Sequence, residues 1–509
     1  MKAIFRSWFR TRKDTIQRRL DNANDTATHQ PVFSAHTIDY DVSHRHHAIN
    51  CGGIGAIHML AQHLKLPQAI NQRLHLLKVH LPYHESDHVL NIAYNALCNG
   101  TCLQDIELRR NDTAFLDALS ARRIPDPTTA GDFCRRFQQS HIDALQDAFD
   151  VTRRTVWDKQ PKSFFDRATI DMDGTLVATT GSCKQGMDIA YDGTWGYHPL
   201  VLSLAETGEV LRLLNRPGNR PSHDQAAGQV DQALWLCLQA GFRRIVLRGD
   251  TDFSQTQHLD RWHALPGVQF IFGYDCMANL EEIAENLAET AWQPLQRPAR
   301  YDVKTQPRRR PNDVKDQIVR QRGFEMLRLK SEEVAEFEYR PSACTNAYRM
   351  VVIRKHISKE KGERVLFPEV RYFFYLTNDR KASAAEIVFE ANDRCNQENL
   401  LAQLHGGVRA LQAPANTLES NGAWMVMTAL AWNLKAWWAL MLPESPGRWQ
   451  PQHRAEKQRV LHQEFKSFVN AFVLIPCQVI RSGRRLILRV LGWNPYLMTF
   501  FRLVSYLRE

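Results

Sequence analysis

Three acidic positions in this sequence could do chemistry together. Asp171-Met172-Asp173-Gly174-Thr175 closes an apolar run (Phe164, Phe165, Ala168, Ile170) that reads as a β-strand, so a carboxylate arrives at the strand's C-terminal tip. The device recurs where Ile245-Val246-Leu247-Arg248-Gly249 runs into Asp250. A third acid, Glu398, falls in a later helical stretch with Arg394 four residues before it, which sets both on one helix face. Acids on two strand tips and a helix suit two Mg²⁺ ions (Mn²⁺ can substitute) about 3.5–4 Å apart, one activating an attacking hydroxyl and the other stabilising the leaving oxygen of a phosphoryl transfer. Arg394 suits the scissile phosphate, because a guanidinium fork donates two parallel hydrogen bonds. Strand alternation turns Asp171 and Asp173 to the same face, so Asp171 competes for the ligand position or supports it from behind.

The same Asp-x-Asp-Gly-Thr opens the site of haloacid dehalogenase-like phosphatases, where Asp171 would be the nucleophile and Gly249-Asp250-Thr251-Asp252 a late acidic motif. A large helical region precedes the motif here, and a hairpin rather than a cap follows it. That family's Lys has no counterpart between the two acidic motifs, and the Arg394/Glu398 helix would have no task.

The chain that must position these residues has 509 of them, enough for about three domains. Its 44% hydrophobic and 24% charged content is globular. A net charge of +10 and a pI near 9.1 favour a polyanionic partner. The 10 cysteines are scattered with no Cys-x-x-Cys, and the chain is far too long for a disulfide-stapled miniature, so they read as reduced, packed thiols. Arg6, Arg10, Arg12 and Lys13 interrupt any signal-peptide core, so the expected location is cytoplasmic. Ala423 to Leu442 is apolar, but Asn433 and Lys435 in its middle favour a buried core helix over a membrane span.

Along the chain, residues 1–30 read as a flexible basic arm, followed by His44, His46 and His47 without partners at metal-ligand spacing. Residues 31–160 are helical, with Ser86 and Asp87 as cap candidates. Arg135 and Arg136 end a short helix over 130–137 that suits DNA backbone contact; the segment reads equally as a plain helical bundle. From 161 to 280 the pattern is α/β. It comprises strands at Ala168–Asp171, Tyr197–Leu204, Glu209–Leu214, Ile245–Leu247 and Val268–Phe272, with helices over Asp224–Gly241 and Ser254–Ala264. Pro307-Arg308-Arg309-Arg310-Pro311 punctuates a β-rich insertion over 281–380 with strands at 337–339, 349–353 and 370–375. One helix is expected over Ser383–Leu404. A basic C-terminal region follows over 446–509, with apolar helices at 468–475 and 486–491, and with Arg481, Arg484 and Arg485 able to hold phosphates.

These motifs, in this order, resemble the DDE transposases of bacterial insertion sequences, the group with an RNase H-like mixed sheet interrupted by a β-rich insertion. The matching stretches are Asp171 to Thr175; Gln185-Gly186 and Tyr191; Gly196-Tyr197-His198-Pro199-Leu200; Glu206 to Val210; Arg216-Pro217-Gly218-Asn219; Arg248 to Phe253; Arg394-x-x-x-Glu398-Asn399; and Ile124 to Thr129. The resemblance implies a core in two parts (161–280 and 381–445), with Asp173, Asp250 and Glu398 as catalytic metal ligands and Asp171 behind them. It also implies cleavage at transposon ends and strand transfer, on double-stranded DNA at terminal inverted repeats and target, by a homodimer. Ala391 stands where the family carries Tyr, and His405 where it carries Lys, so His405 joins Arg394, Arg135 and Arg136 as an expected phosphate contact. Related enzymes stack an insertion aromatic on a flipped base; Trp292 is the Trp of this insertion, with core packing the favoured role. A non-catalytic regulator that only recognises repeats is the alternative outside enzymes.

Overall fold

The computed structural model describes residues 2–21, 38, 40–41, 47–80, 82–297, 325–361, 364–483 and 485–509. His44, His46, Arg484, the polar part of the arm (22–30) and the basic punctuation at 307–311 lie outside the described residues. The chain forms two compact units: residues 1–159 with 403–509, and residues 160–402.

The first unit is mainly helical. Lys2–Asp21 is a helix rather than the expected loose arm; it is rich in Lys, Arg and Gln, which lose little rotamer freedom in a helix. Helices Ile54–His63, Leu66–Arg73, Glu85–Leu97, Pro127–Cys134 and Gln139–Trp157 follow. Glu85–Leu97 is capped by Asp87, whose carboxylate accepts the His84 N–H at 2.8 Å. Asp126 accepts the Thr129 N–H at 2.9 Å and so starts Pro127–Cys134. The strand β1 (Ala48–Ile49) belongs to a small sheet completed near the C-terminus.

The second unit carries a nine-stranded mixed sheet. Its strands β2 (Ala168–Gly174), β6 (Leu200–Leu204), β7 (Glu209–Leu214), β8 (Ile245–Gly249) and β9 (Val268–Tyr274) fall where the apolar runs predict them. The short β3 (Val177–Ala178), β4 (Asp188–Ile189) and β5 (Trp195–Tyr197) form a separate three-stranded sheet between β2 and β6 in sequence. Gly208, at φ +68°, makes the β6–β7 turn, and Gly241, at φ +92°, ends the helix Ala226–Ala240. β2 pairs antiparallel with β6 and parallel with β8, and β8 runs parallel to β9.

The expected β-rich insertion continues the main sheet. β10 (Gln293–Pro294), β11 (Glu325–Tyr339), β12 (Tyr348–Lys361) and β13 (Arg364–Thr377) extend the same sheet, β13 pairing antiparallel with β9. These strands run far beyond the predicted apolar runs, because their outer halves are charged and cross-strand pairing rather than burial holds them. Asp260, on the helix Thr256–His263, ties the β11–β12 connection down by accepting from Thr345 N (2.6 Å) and the Tyr348 hydroxyl (2.6 Å). The helix Ala384–Asn392 starts at a Ser383/Glu386 capping box and buries Ile387 and Val388 against Val246, Ile271, Val351 and Ile353.

Returning to the first unit, helix Leu418–Leu440 is buried on all sides from Ser420 onward. It packs on Glu85–Leu97 and Gln139–Trp157 rather than on the sheet with which the sequence grouped it. No described helix is long and apolar enough to cross a membrane. Of the two helices expected in the C-terminal segment, the first is helical over 465–473, but the second is not: β14 (Cys477–Ser482) and β15 (Arg485–Val490) form a hairpin that β1 completes. Leu486-Ile487-Leu488 is too short for a helix and sits between Gly483, at φ +59°, and Gly492, so hairpin pairing prevails. Helix Leu497–Tyr506 ends the chain.

Lys435, the residue that argued against a membrane span, is 2% exposed. Its ammonium donates to Leu461 O at 2.6 Å and lies 4.1 Å from the Trp432 ring centroid. Burial pulls its pKa down to about 7. In the unfolded chain it titrates near 10.4, so between about pH 7 and 10 the folded protein holds fewer protons and its stability rises with pH. In urea unfolding, wild type should therefore gain on Lys435→Met by up to about 4 kcal/mol across that window; a pH-independent difference would contradict the buried amine.

Candidate active site

The site is built on two neighbouring parallel strands. Asp171 of β2 stands in register with Arg248 of β8. The Arg248 guanidinium holds Asp171 bidentately, Nε to Oδ1 at 2.6 Å and Nη2 to Oδ2 at 2.8 Å, with the two side chains 3% and 0% exposed. Its Nη1 donates to Glu390 O at 2.7 Å, fastening the end of helix Ala384–Asn392 to the strands. Two residues beyond the pair, Asp173 and Asp250 stand on adjoining strand tips, where sheet spacing sets backbones about 4.8 Å apart.

Arg394 and Glu398 reach these tips by a route the sequence did not suggest. The expected continuous helix is broken at Asp393–Arg394 into Ala384–Asn392 and Cys395–Ala402. Asn392 turns back to Val388 O at 2.7 Å, and Arg394 Nη2 donates to Met172 O at 3.0 Å while lying 3.4 Å from Asp173 Oδ2. A side-chain bond to the strand and an Asn that competes for backbone groups outweigh one further turn of helix. The four-residue relation survives, because the Glu398 N–H donates to Arg394 O at 3.2 Å.

Four groups were given no role from the sequence, although His198 and Arg216 stand in its matching stretches. Gln397, 1% exposed, donates to Val201 O at 3.1 Å and accepts the Ser203 hydroxyl, anchoring the Glu398 helix to β6; nothing local marks it. Asp275 follows β9 as Asp250 follows β8, so the strand-tip pattern itself could have found it. His198 donates through Nδ1 to Arg220 O at 2.7 Å, and a Cβ at Gly174 would lie 2.6 Å from its Nε2, so only glycine fits beside Asp173. Arg216, 1% exposed, donates to the carbonyls of His198, Pro221, Ser222 and Asp224, clamping the loop whose Ser222 N–H donates to Asp252.

Burial raises the Asp173 pKa to about 6, Arg394 opposing the rise while Asp250 and Glu398 add to it. Asp250 is raised by burial too, against Arg394 and with Asp252 and Asp275. Crowded, partly desolvated carboxylates with oxygen donors alone fit a hard divalent cation. Among the described residues, the one group of three ligand atoms all within 4.8 Å of one another is His80, His84 and Glu85; the three acids are spread more widely.

The remaining expected contacts lie elsewhere. Arg135 pairs with Asp132, and Arg136 lines a 530 Å³ cleft with Lys78 and His88, both within the first unit. His405 of that unit sits half-buried in a turn over Gln403–Gly407, where burial lowers its pKa and favours the neutral ring, an indifferent phosphate ligand. Trp292 is 7% exposed and covered by Arg354, 4.2 Å from its ring centroid, so it packs as a core residue. The nine cysteines whose side chains are described form no disulfide.

Two stability measurements test this geometry. Asp171→Ala leaves Arg248 buried without its partner and should cost about 3–5 kcal/mol in denaturant unfolding; a neutral effect would remove the pair from its positioning role. Asp173 behaves oppositely. Its folded pKa lies above the unfolded value near 3.9, so between about pH 4 and 6 the folded state binds more protons and stability falls as pH rises. In EDTA at pH 7.5, Asp173→Asn should raise stability by at most about 3 kcal/mol, with the gain gone below pH 4.

Comparison with known proteins places the chain in a family. The family described as Transposase DDE domain group 1 matches residues 47–509. A comparison with curated proteins finds no match. Among solved structures, a piggyBac transposase synaptic complex with hairpin DNA, determined by cryo-EM, is similar at 9% identity over 83% of this chain and 81% of that one, with a TM-score of 0.36. With the family matched over nearly its whole length, the chain belongs to the DDE transposases of domain group 1.

Proposed function

We propose that this transposase cleaves phosphodiester bonds at transposon ends and joins the 3′-hydroxyl ends to target DNA, with Asp173, Asp250 and Glu398 as ligands of two Mg²⁺ ions. The observation that carries the reading is the pair of aspartates on adjoining parallel strand tips, electrostatically coupled to each other, to Glu398 and to Arg394. The order β2-β6-β7-helix-β8-helix-β9, antiparallel then parallel, supports an RNase H-like core. Sites in open α/β sheets gather at the carboxyl ends of the strands, where these acids stand. When bound, such ions make a hydroxyl nucleophilic and stabilise the leaving oxygen.

The chain's own residues set up the rest. Arg394 lies 3.4 Å from Asp173 in this structure, and a scissile phosphate is the anion its fork would take up in exchange. Gln397 holds Glu398 at a fixed height over β6, and Asp171 with Arg248 fixes the strand register behind the acids. Double-stranded DNA, at terminal repeats and target, is the partner, with Arg135 and Arg136 as backbone contacts in the helical unit, and assembly on two ends calls for a dimer. The phosphatase reading has the opposite support: its nucleophile would be Asp171, which is 0% exposed and held by both Arg248 nitrogens.

The test is Mg²⁺-dependent nicking of a duplex that carries a transposon end. Asp250→Asn should lose at least about 10³-fold in rate, roughly 4 kcal/mol of transition-state stabilisation, while still binding the duplex. Equal nicking by both proteins would sink the site assignment. Binding without nicking by either would favour the repeat-recognising regulator.

A further inference from the structure

The first unit contains a second, chemically different set of ligands. Helix Glu85–Leu97 opens on Glu85, which is 1% exposed although it is charged. Its Oε1 accepts the N–H groups of Leu76 and Leu77, each at 3.0 Å, so the carboxylate is fixed by the chain that leads into the helix. Oε2 lies 3.1 Å from His80 Nε2. His84, the residue before the helix, stacks on His80 with ring centroids 5.0 Å apart and planes 11° from parallel. One nitrogen of each ring and one carboxylate oxygen lie within 4.8 Å of one another.

We propose that His80, His84 and Glu85 form a binding site for a borderline divalent transition-metal ion, with Zn²⁺ the best fit, leaving one position for water. Two imidazoles and a carboxylate are a donor set that Zn²⁺ takes at about 2.0–2.2 Å, whereas Mg²⁺ prefers oxygen alone. An ion pair between protonated His80 and Glu85 explains one histidine; it gives His84 no reason to lie stacked at the same carboxylate. The backbone N–H groups on Oε1 act as the outer shell that orients a ligating carboxylate and leave Oε2 for the metal. Both histidines are exposed, so small rotations of their side chains close the set without disturbing the helix. The ion would pin the chain before the helix, including Leu77 and Lys78 of the Arg136 cleft, to the first turn of Glu85–Leu97. This site is independent of the three acids proposed for catalysis, and His-x-x-x-His-Glu is its sequence signal.

The experiment titrates Zn²⁺, and Co²⁺ as a visible probe, into the EDTA-dialysed full-length chain. It compares wild type, the double variant His80→Ala/His84→Ala, and Asp250→Asn, with circular dichroism to verify folding. Expected are one Zn²⁺ per chain in wild type and in Asp250→Asn, tetrahedral-type Co²⁺ absorption, no displacement by excess Mg²⁺, and an affinity at least about tenfold weaker in the double variant. Unchanged affinity in the double variant, or loss of the ion in Asp250→Asn alone, would overturn the proposal. The Asp250→Asn arm keeps failure here distinct from failure of the catalytic reading.

Discussion

Everything at the strand tips depends on one buried ion pair. Asp171 and Arg248 face each other across parallel strands, both out of solvent, and each satisfies the other with two hydrogen bonds. A one-residue slip between these strands would turn every side chain of β2 to the other face and leave two charges buried alone. The register is therefore fixed electrostatically as well as by apolar packing, and the next residues on the same face inherit it. The third Arg248 bond, to Glu390 O, extends that fixation to the helix that leads to Arg394 and Glu398.

In front of the pair, the fold concentrates negative charge instead of neutralising it. Asp173 and Asp250 share a nearby guanidinium, Arg394, that also bonds the strand backbone, and burial raises both aspartates. Gln397, Arg216 and the close contact of Gly174 with His198 hold the surrounding loops and helix to β2 and β6, so the carboxylates cannot relax apart cheaply. Such an arrangement costs stability in the protein alone and favours any cation or phosphate that completes it.

Much of this was legible because strands and tips have a local signature. Apolar runs ending in an acid predicted β2 and β8, and Glu206-Thr207-Gly208 predicted the β6–β7 hairpin. Burial of β2 and β8 on both faces makes their runs continuous and easy to read. The outer halves of β11 to β13 are charged and amphipathic, so composition marked only their inner residues. The hydrophobicity of Leu486-Ile487-Leu488 suggests a helix, but the run is short and lies between Gly483 and Gly492, where a hairpin prevails. The break at Asp393–Arg394 has a local contributor in Asn392, but it also depends on a bond to Met172 O, far away in sequence.

By itself the sequence determined which residue types could act, their order, and the alternation that puts Asp171 and Asp173 on one face, since these follow from covalent spacing and hydrophobic period. The tertiary structure alone decided that Asp171 is locked behind the site while Asp173 stands at its front. The same holds for the insertion, which continues the main sheet, and for the Trp-rich helix, which belongs to the helical unit. Each of those outcomes depends on which distant surface a segment buries and which distant partner satisfies its charge, and no local run of residues specifies that.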